Sequence, residues 1–133
     1  ATLYVNGEKI ESTDKPAGRV FKLNDAVHIA GSGADWFRNA CLFSEVRIWN
    51  TARTPEQLKD NEYTVDPTTP GLLHYWKMNE GQGGVFANSV AGGPALKVYG
   101  SAYDETHPEN STVLTPTWVS NVRSDGKGTN KVP

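Results

Sequence analysis

One polar loop of this sequence places an aromatic side chain beside a cation and an amide. Trp36 follows the stretch GSGAD, and Arg38 and Asn39 come two and three residues later. A sugar ring is recognised when its C–H face stacks on an aromatic ring and nearby polar groups pair with its hydroxyls. We therefore interpret Trp36, Arg38 and Asn39 as candidate ligand-binding residues. Trp118, in the stretch TPTWVSN, is a second aromatic candidate.

Acid and base catalysis finds less support in the pattern of carboxylates. Hydrolysis of a glycosidic bond needs two carboxyl groups roughly 5 to 10 Å apart, one protonated and one ionised. Glu45 and Glu80 lie near predicted strands, and neither has a second acidic residue at a spacing that would place both on one face. We interpret each of them as a strand-end or turn charge. The sequence thus predicts a protein that is not an enzyme.

The histidines and the cysteine show no catalytic or zinc-binding spacing. His28, His74 and His107 are far apart and form no His-x-His or HExxH pattern. Cys41 is the single cysteine, which excludes an internal disulfide, and its apolar neighbours favour a small buried side chain. No bound cofactor is predicted from these residues.

Size and charge restrict the classes of function. The chain has 133 residues, of which 37% are hydrophobic, which is typical of one domain. The formal net charge is -2, so no cluster of basic residues predicts binding to nucleic acid. No run of about 18 apolar residues predicts a membrane span, and no leader pattern opens the sequence.

The order of predicted elements indicates strands joined by turns, with one short helix. In the stretch Thr54-Pro55-Glu56-Gln57, the Thr and Gln suit a capping box and the Pro suits the first helical position. Leu58 is its only clear apolar anchor. Strands are predicted around the Asn6-Gly7 turn and over residues 20–23, 26–30, 42–49, 72–78 and 95–99, and the helix over residues 55–62. This pattern predicts an all-β antiparallel sandwich with Trp49 and Trp76 in its core.

The composition changes after residue 100. Residues 101–133 are rich in Ser, Thr, Asn and Pro, with apolar clusters only at Val113-Leu114 and at residues 118–122. We therefore divide the chain into a β-sandwich over residues 1–100 and a partly ordered extension over residues 101–133. The extension either adds one strand or wraps around the surface.

Several motifs together resemble one known family. LYVNG, a strand ending in HIAG, SEVRIWNTARTPEQL and GLLHYWKMNEGQG are similar to segments of laminin G-like, concanavalin A-like jelly-roll domains of exported bacterial proteins. The resemblance covers about residues 3 to 100. It implies a concanavalin A-like jelly roll, and a periplasmic, cell-surface or secreted location. The polar tail is similar to C-terminal regions of exported Bacteroidetes-type proteins.

The resemblance also implies an incomplete sandwich, since such domains usually have several strands before the LYVNG hairpin. Half a jelly roll would expose one face of its core. Three alternatives follow from this: the C-terminal part of a larger protein, a proteolytic product, or a unit completed by strand exchange with a second copy in a homodimer.

Relatives in this family suggest how the loops would be used. Family relatives such as pentraxins bind calcium through loop carboxylates and carbonyls, and Asn24, Asp25 and Asp35 lie in candidate loops of this chain. Calcium needs six to eight oxygens and no D-x-D-x-D run supplies them, so a calcium site at Asp25 and Asp35 stays an alternative to no metal. The family also often packs an aromatic near Trp36 into the sandwich, which is the alternative to a binding role for that side chain.

The function expected from these observations is that of a non-catalytic carbohydrate-binding or adhesion module. The alternative is a structural or protein-interaction module without a glycan ligand, whose partners would be other domains of the parent protein. That alternative requires its aromatic side chains to be buried. A glycoside hydrolase is the third and least favoured interpretation.

Overall fold

Short antiparallel strands account for most of the regular structure in a computed structural model, which describes residues 2–12, 29, 42–99, 104 and 106–119. The strands are β1 (Thr2–Val5), β2 (Glu8–Ser12), β3 (Val46–Trp49), β4 (Leu72–Trp76), β5 (Val85–Phe86) and β6 (Leu96–Lys97). The helix α1 (Pro55–Asp60) follows β3, and a 3-10 turn spans Pro108–Asn110. The predicted all-β class with one short helix agrees with these elements. The strands predicted over residues 20–23 and 26–30 fall outside the described residues, except for Ile29.

β1 and β2 form the predicted hairpin. Asn6 and Gly7 both have positive φ, at 53° and 78°, as a two-residue hairpin turn requires. β1 pairs antiparallel with β2, and the register shifts by one residue between Leu3 and Tyr4. Leu3, Val5 and Ile10 remain exposed. The described part of this hairpin therefore buries little apolar surface.

β3 and β4 form a second antiparallel pair whose ends differ from the predicted bounds. β3 begins at Val46 rather than at residue 42, because Glu45 has a φ of 57° that interrupts an extended run. β4 ends at Trp76 rather than at residue 78, where Met78 has a φ of 56°. A register shift between Ile48 and Trp49 leaves one extra residue in β4.

That register shift determines which side chains of β4 are buried together in the core. Strict alternation would place Leu72 and Tyr75 on opposite faces of β4. Both instead belong to one buried cluster with Val65, and Trp49 and Val90 pack against it. A bulge inserts one residue and reverses the alternation beyond it, which explains why the two side chains meet.

The helix begins at Pro55, as predicted, and ends two residues earlier than the predicted bound. The Thr54 hydroxyl accepts a bond from the Gln57 backbone N–H at 3.2 Å, and the Gln57 side chain accepts one from the Thr54 N–H at 3.0 Å. Asn61 caps the other end. No residue of α1 is buried, so polar contacts at its C-terminal end hold it more than an apolar face does.

Residues after β4 extend the sheet on its other edge. Asn88 forms a bridge with Trp76, and the Ser89 N–H donates to the Tyr75 carbonyl at 2.7 Å. β5 pairs with β6, and Tyr99 then forms a bridge with Val113. Within the described residues, no helix is long and apolar enough to cross a membrane.

Candidate functional site

Most of the residues predicted to bind a ligand or a metal lie outside the described part of the chain. These are Trp36, Arg38 and Asn39 among the ligand candidates, and Asp25 and Asp35 among the metal candidates. Trp118 is the one predicted site residue whose surroundings can be described. The structure thus brings none of the other five to a described site.

Trp118 lies half-buried on the β5–β6 sheet. Its ring meets that of Phe86 edge to face, with centroids 5.7 Å apart. Its indole N–H donates to the Gly83 carbonyl at 3.2 Å. The Trp118 ring and its polar tip therefore both make contacts within the chain.

The residues that precede Trp118 complete a segment that we call the tail strap, residues 113–118. Its first residue, Val113, bridges Tyr99, and the Leu114 N–H donates to the Val98 carbonyl at 2.9 Å. A methyl group built on Gly84 would overlap the Leu114 carbonyl oxygen and lie 2.8 Å from its carbon. Since no side chain fits there, Gly84 allows the strap to approach the backbone of the sheet.

The other two described tryptophans are also engaged. Trp76 is buried, and its indole N–H donates to the Pro94 carbonyl at 2.9 Å. Trp49 packs against the core on one side, and the Arg53 guanidinium lies 4.0 Å from its ring centroid. The prediction that both belong to the core is confirmed for Trp76, whereas Trp49 is partly buried at its margin. Neither offers an open ring face of the kind that a sugar needs.

A charged cluster on the β3–β4 pair was not predicted as such. The Glu45 carboxylate accepts hydrogen bonds from the Arg47 guanidinium and the Tyr75 hydroxyl through the same oxygen. The Glu45 and Arg47 side chains are only 5% and 10% exposed, and Tyr75 is fully buried. Glu45, directly before β3, is thus a buried partner in a hydrogen-bond network. A carboxylate held in this way is poorly placed to contact a substrate.

Cations and the helix end surround this cluster. Arg47 also donates to the Asn61 carbonyl, while the Arg53 guanidinium donates to the Asn61 side chain at 2.9 Å. The Arg47 guanidinium carbon and the Lys77 ammonium lie 4.8 and 5.7 Å from the Tyr75 ring centroid. Burial, followed by the hydrogen bond to Glu45, raises the pKa of the Tyr75 hydroxyl above its ordinary value. The cluster therefore holds Tyr75 as a neutral hydrogen-bond donor at neutral pH.

A second polar network determines the tautomer of His74. The Asn88 side-chain oxygen accepts from the Tyr75 and Val90 N–H groups at 3.1 and 3.0 Å, which fixes the orientation of the amide. Its nitrogen must then face His74 Nδ1, at 3.0 Å. Because the amide nitrogen only donates, Nδ1 is the acceptor and Nε2 carries the proton. His74 is therefore held by a hydrogen bond within the chain.

Glu80 bonds to the backbone just after β5. One of its carboxylate oxygens accepts a bond from the Ala87 N–H at 2.9 Å, while the other is buried and meets no hydrogen-bond donor among the described residues. No group of three or more histidine, cysteine or acidic side chains converges within the described ranges. This finding does not reach the loops of Asp25 and Asp35.

Sequence signals for these unpredicted features exist, but they are weak. In the predicted strand over residues 42–49, Glu45 and Arg47 are two residues apart and would share a face. Only the pairing of Arg47 with Tyr75 shows that this face is buried. The Gly83-Gly84 pair is typical of a turn, and nothing local in the sequence indicates that Gly84 allows a close backbone approach.

The chain matches no protein-family model, and no curated protein or solved structure is significantly similar to it.

Proposed function

We propose that this chain is a non-catalytic binding module of an exported protein, and that its described part serves association with protein surfaces rather than stacking on sugars. The proposal rests on one observation, which is that the three described tryptophans are all engaged in contacts within the chain. Trp49 is covered by Arg53, and the indole N–H groups of Trp76 and Trp118 are already bonded. Engaged aromatic side chains favour the protein-interaction alternative over the lectin-like one.

The distribution of apolar side chains gives independent support. Among the described residues, five hydrophobic side chains form the buried core, whereas eleven large hydrophobic side chains are exposed. Single exposed apolar residues are ordinary, but a small core beside several of them is typical of a unit that is completed by another surface. The exposed side chains with the largest open fractions are Leu42 at 64%, Ile10 at 61% and Leu3 at 56%.

The proposal also includes the fold family. Three two-stranded antiparallel sheets and one short helix are consistent with part of a concanavalin A-like sandwich. The periplasmic, cell-surface or secreted location rests on the sequence resemblance. The proposal that the missing strands come from the parent protein or a second copy fits the small described core.

Glycan binding through Trp36, Arg38 and Asn39 is the second candidate function, and it rests on the sequence pattern. A calcium ion at Asp25 and Asp35 remains a proposal of the same kind.

One experiment separates the two functions. The 133-residue chain is titrated with a panel of host and dietary polysaccharides by calorimetry, and its mass is followed by sedimentation from low to high micromolar concentration. We expect no heat of glycan binding and an increase of mass with concentration. The matched variant Leu3→Lys places a charge on the exposed hairpin and should weaken that association. Saturable glycan binding that is lost in Trp36→Ala, with no association of the chain, would overturn the proposal.

A further inference from the structure

The groove under the tail strap accommodates an extended segment of polypeptide. Its floor is the backbone at Gly84, where a methyl group would overlap the Leu114 carbonyl. Its side is the Phe86 ring, and its edge is the Val98 carbonyl that accepts the Leu114 N–H. These groups recognise an extended segment through backbone hydrogen bonds and a single aromatic anchor, as in the addition of a strand to a sheet edge.

The segment that fits this groove is present in every copy of the chain. Trp118 supplies the aromatic anchor and donates to the Gly83 carbonyl, while Val113 and Leu114 supply the strand-like contacts. Residues 98–112 lie between β6 and the strap, and an extended chain covers roughly 3.3 Å per residue. The strap can therefore reach the groove of a neighbouring molecule and make the same contacts there.

The strap also has the features of a segment that opens before the core does. Val113 and Leu114 are 37% and 44% exposed, and Phe86, which the strap helps to cover, is 5% exposed. Segments with few buried contacts and solvent-exposed hydrogen bonds open locally at lower free energy than core strands. Opening uncovers Phe86 and frees the edge of the sheet at Val98, so the opened molecule offers both a donor segment and an acceptor groove.

We propose that a second copy of this chain is a partner of the module, and that the two copies exchange their tail straps. Each strap then lies in the groove of the other molecule with Trp118 against Phe86. Such an exchange preserves the contacts of the closed monomer and needs a different path only in the connecting residues. This inference rests on the proposed function and adds a second surface, distinct from the exposed hairpin, through which copies of the chain associate.

A complementation experiment tests the exchange with full-length chains. Gly84→Ala blocks the groove and leaves the strap intact; φ of Gly84 lies outside the left-handed region, so alanine can adopt its backbone conformation. Trp118→Ala removes the anchor and leaves the groove intact. Mixing the two variants pairs an intact strap with an intact groove. We expect at least tenfold more hetero-association in this mixture, measured by affinity capture of differently tagged chains, than within either variant alone.

The matched control uses the double variant Gly84→Ala/Trp118→Ala in place of Trp118→Ala and mixes it with Gly84→Ala. That mixture has no intact groove, and we expect its association to fall to the level of the single variants. Equal capture in the two mixtures, with both variants folded by circular dichroism, would overturn the exchange. If wild-type chains associate but the complementation is absent, another surface is used, and the proposed function survives while this inference fails.

A second measurement keeps the test decisive if Gly84→Ala does not fold. A fluorescent peptide of residues 112–119 is added to the wild-type chain and to Trp118→Ala. The variant's own strap competes less well, so we expect the peptide to bind it at least tenfold more tightly than wild type. Equal affinity for both chains would overturn the proposal.

Discussion

The β3–β4 pair and the β5–β6 pair are each covered by a segment from elsewhere in the chain, but different interactions hold the two covers. The loop after α1 covers β3–β4, where Arg47 bonds to the Asn61 carbonyl and Val65 packs on Tyr75. The tail strap covers β5–β6 through one ring contact and a close backbone approach at Gly84.

The difference concerns the cost of opening each cover. Opening the first breaks the bond from the Arg47 guanidinium to the Asn61 carbonyl and uncovers the buried cluster around Tyr75, and a hydrogen bond to a charged group costs more to lose than a neutral one. Opening the second breaks neutral hydrogen bonds and exposes one aromatic ring, which costs less because water replaces those bonds. A rigid half and a half that exchanges its cover can therefore exist in one small module.

The largest effect should follow from breaking the charged network. Arg47→Met leaves the Glu45 carboxylate buried without its cation, so we expect the free energy of unfolding to fall by about 3 to 5 kcal/mol. Urea unfolding followed by circular dichroism measures this change. The control is Lys97→Met, which removes an exposed cation from β6 and should change stability by no more than about 0.5 kcal/mol.

A double variant sharpens the same point. Adding Glu45→Gln to Arg47→Met removes the stranded charge, so part of the lost stability should return. The buried network would not be the rigid element of the comparison if Arg47→Met cost no more than Lys97→Met.

A smaller effect is expected where the strap meets the sheet. Gly84→Ala forces the Leu114 carbonyl away from the sheet, and overpacking of this kind costs about 1 to 3 kcal/mol. The measurement is again urea unfolding. In a Trp118→Ala background the strap is already loosened, so the same substitution should cost less. Full additivity of the two substitutions would contradict the assignment of Gly84 to the strap.

A still smaller effect is expected at the start of the helix. Thr54→Ala removes the acceptor of the Gln57 N–H, which should lower the free energy of unfolding by about 1 kcal/mol. Thr54→Ser keeps the hydroxyl and should restore most of that loss in thermal unfolding. A result in which serine is as destabilising as alanine would place the effect in the threonine methyl group instead.

The smallest effect concerns Tyr75 and changes stability only at alkaline pH. Because the folded pKa of Tyr75 is raised above its ordinary value of 10.0, the stability that this group contributes is fully present below about pH 10. It is lost as the pH rises through the folded pKa, since the unfolded chain releases its proton first. Urea unfolding at a series of alkaline pH values should show a steeper loss for wild type than for Tyr75→Phe. If stability fell equally steeply with pH in wild type and in Tyr75→Phe, Tyr75 would not contribute to the pH dependence.

Local patterns in the sequence determined the elements whose causes are local. The Asn6-Gly7 turn, the capping box at Thr54 and the all-β character with one short helix depend on residues that are close in sequence, and the structure has each of them. The burial of Trp76 also follows from its position within an apolar strand. The proposed glycan and calcium residues, including Trp36 and Asp35, remain predictions of the sequence.

Only the tertiary structure decided which side chains meet. A one-residue bulge brings Leu72 and Tyr75 into one cluster, and strand pairing turns Glu45 and Arg47 into a buried network. The role of Trp118 and Gly84 depends on a contact between residues more than thirty positions apart. Alternation and turn propensity act over a few residues, whereas register and long-range packing depend on the whole chain, so the sequence patterns could not specify them.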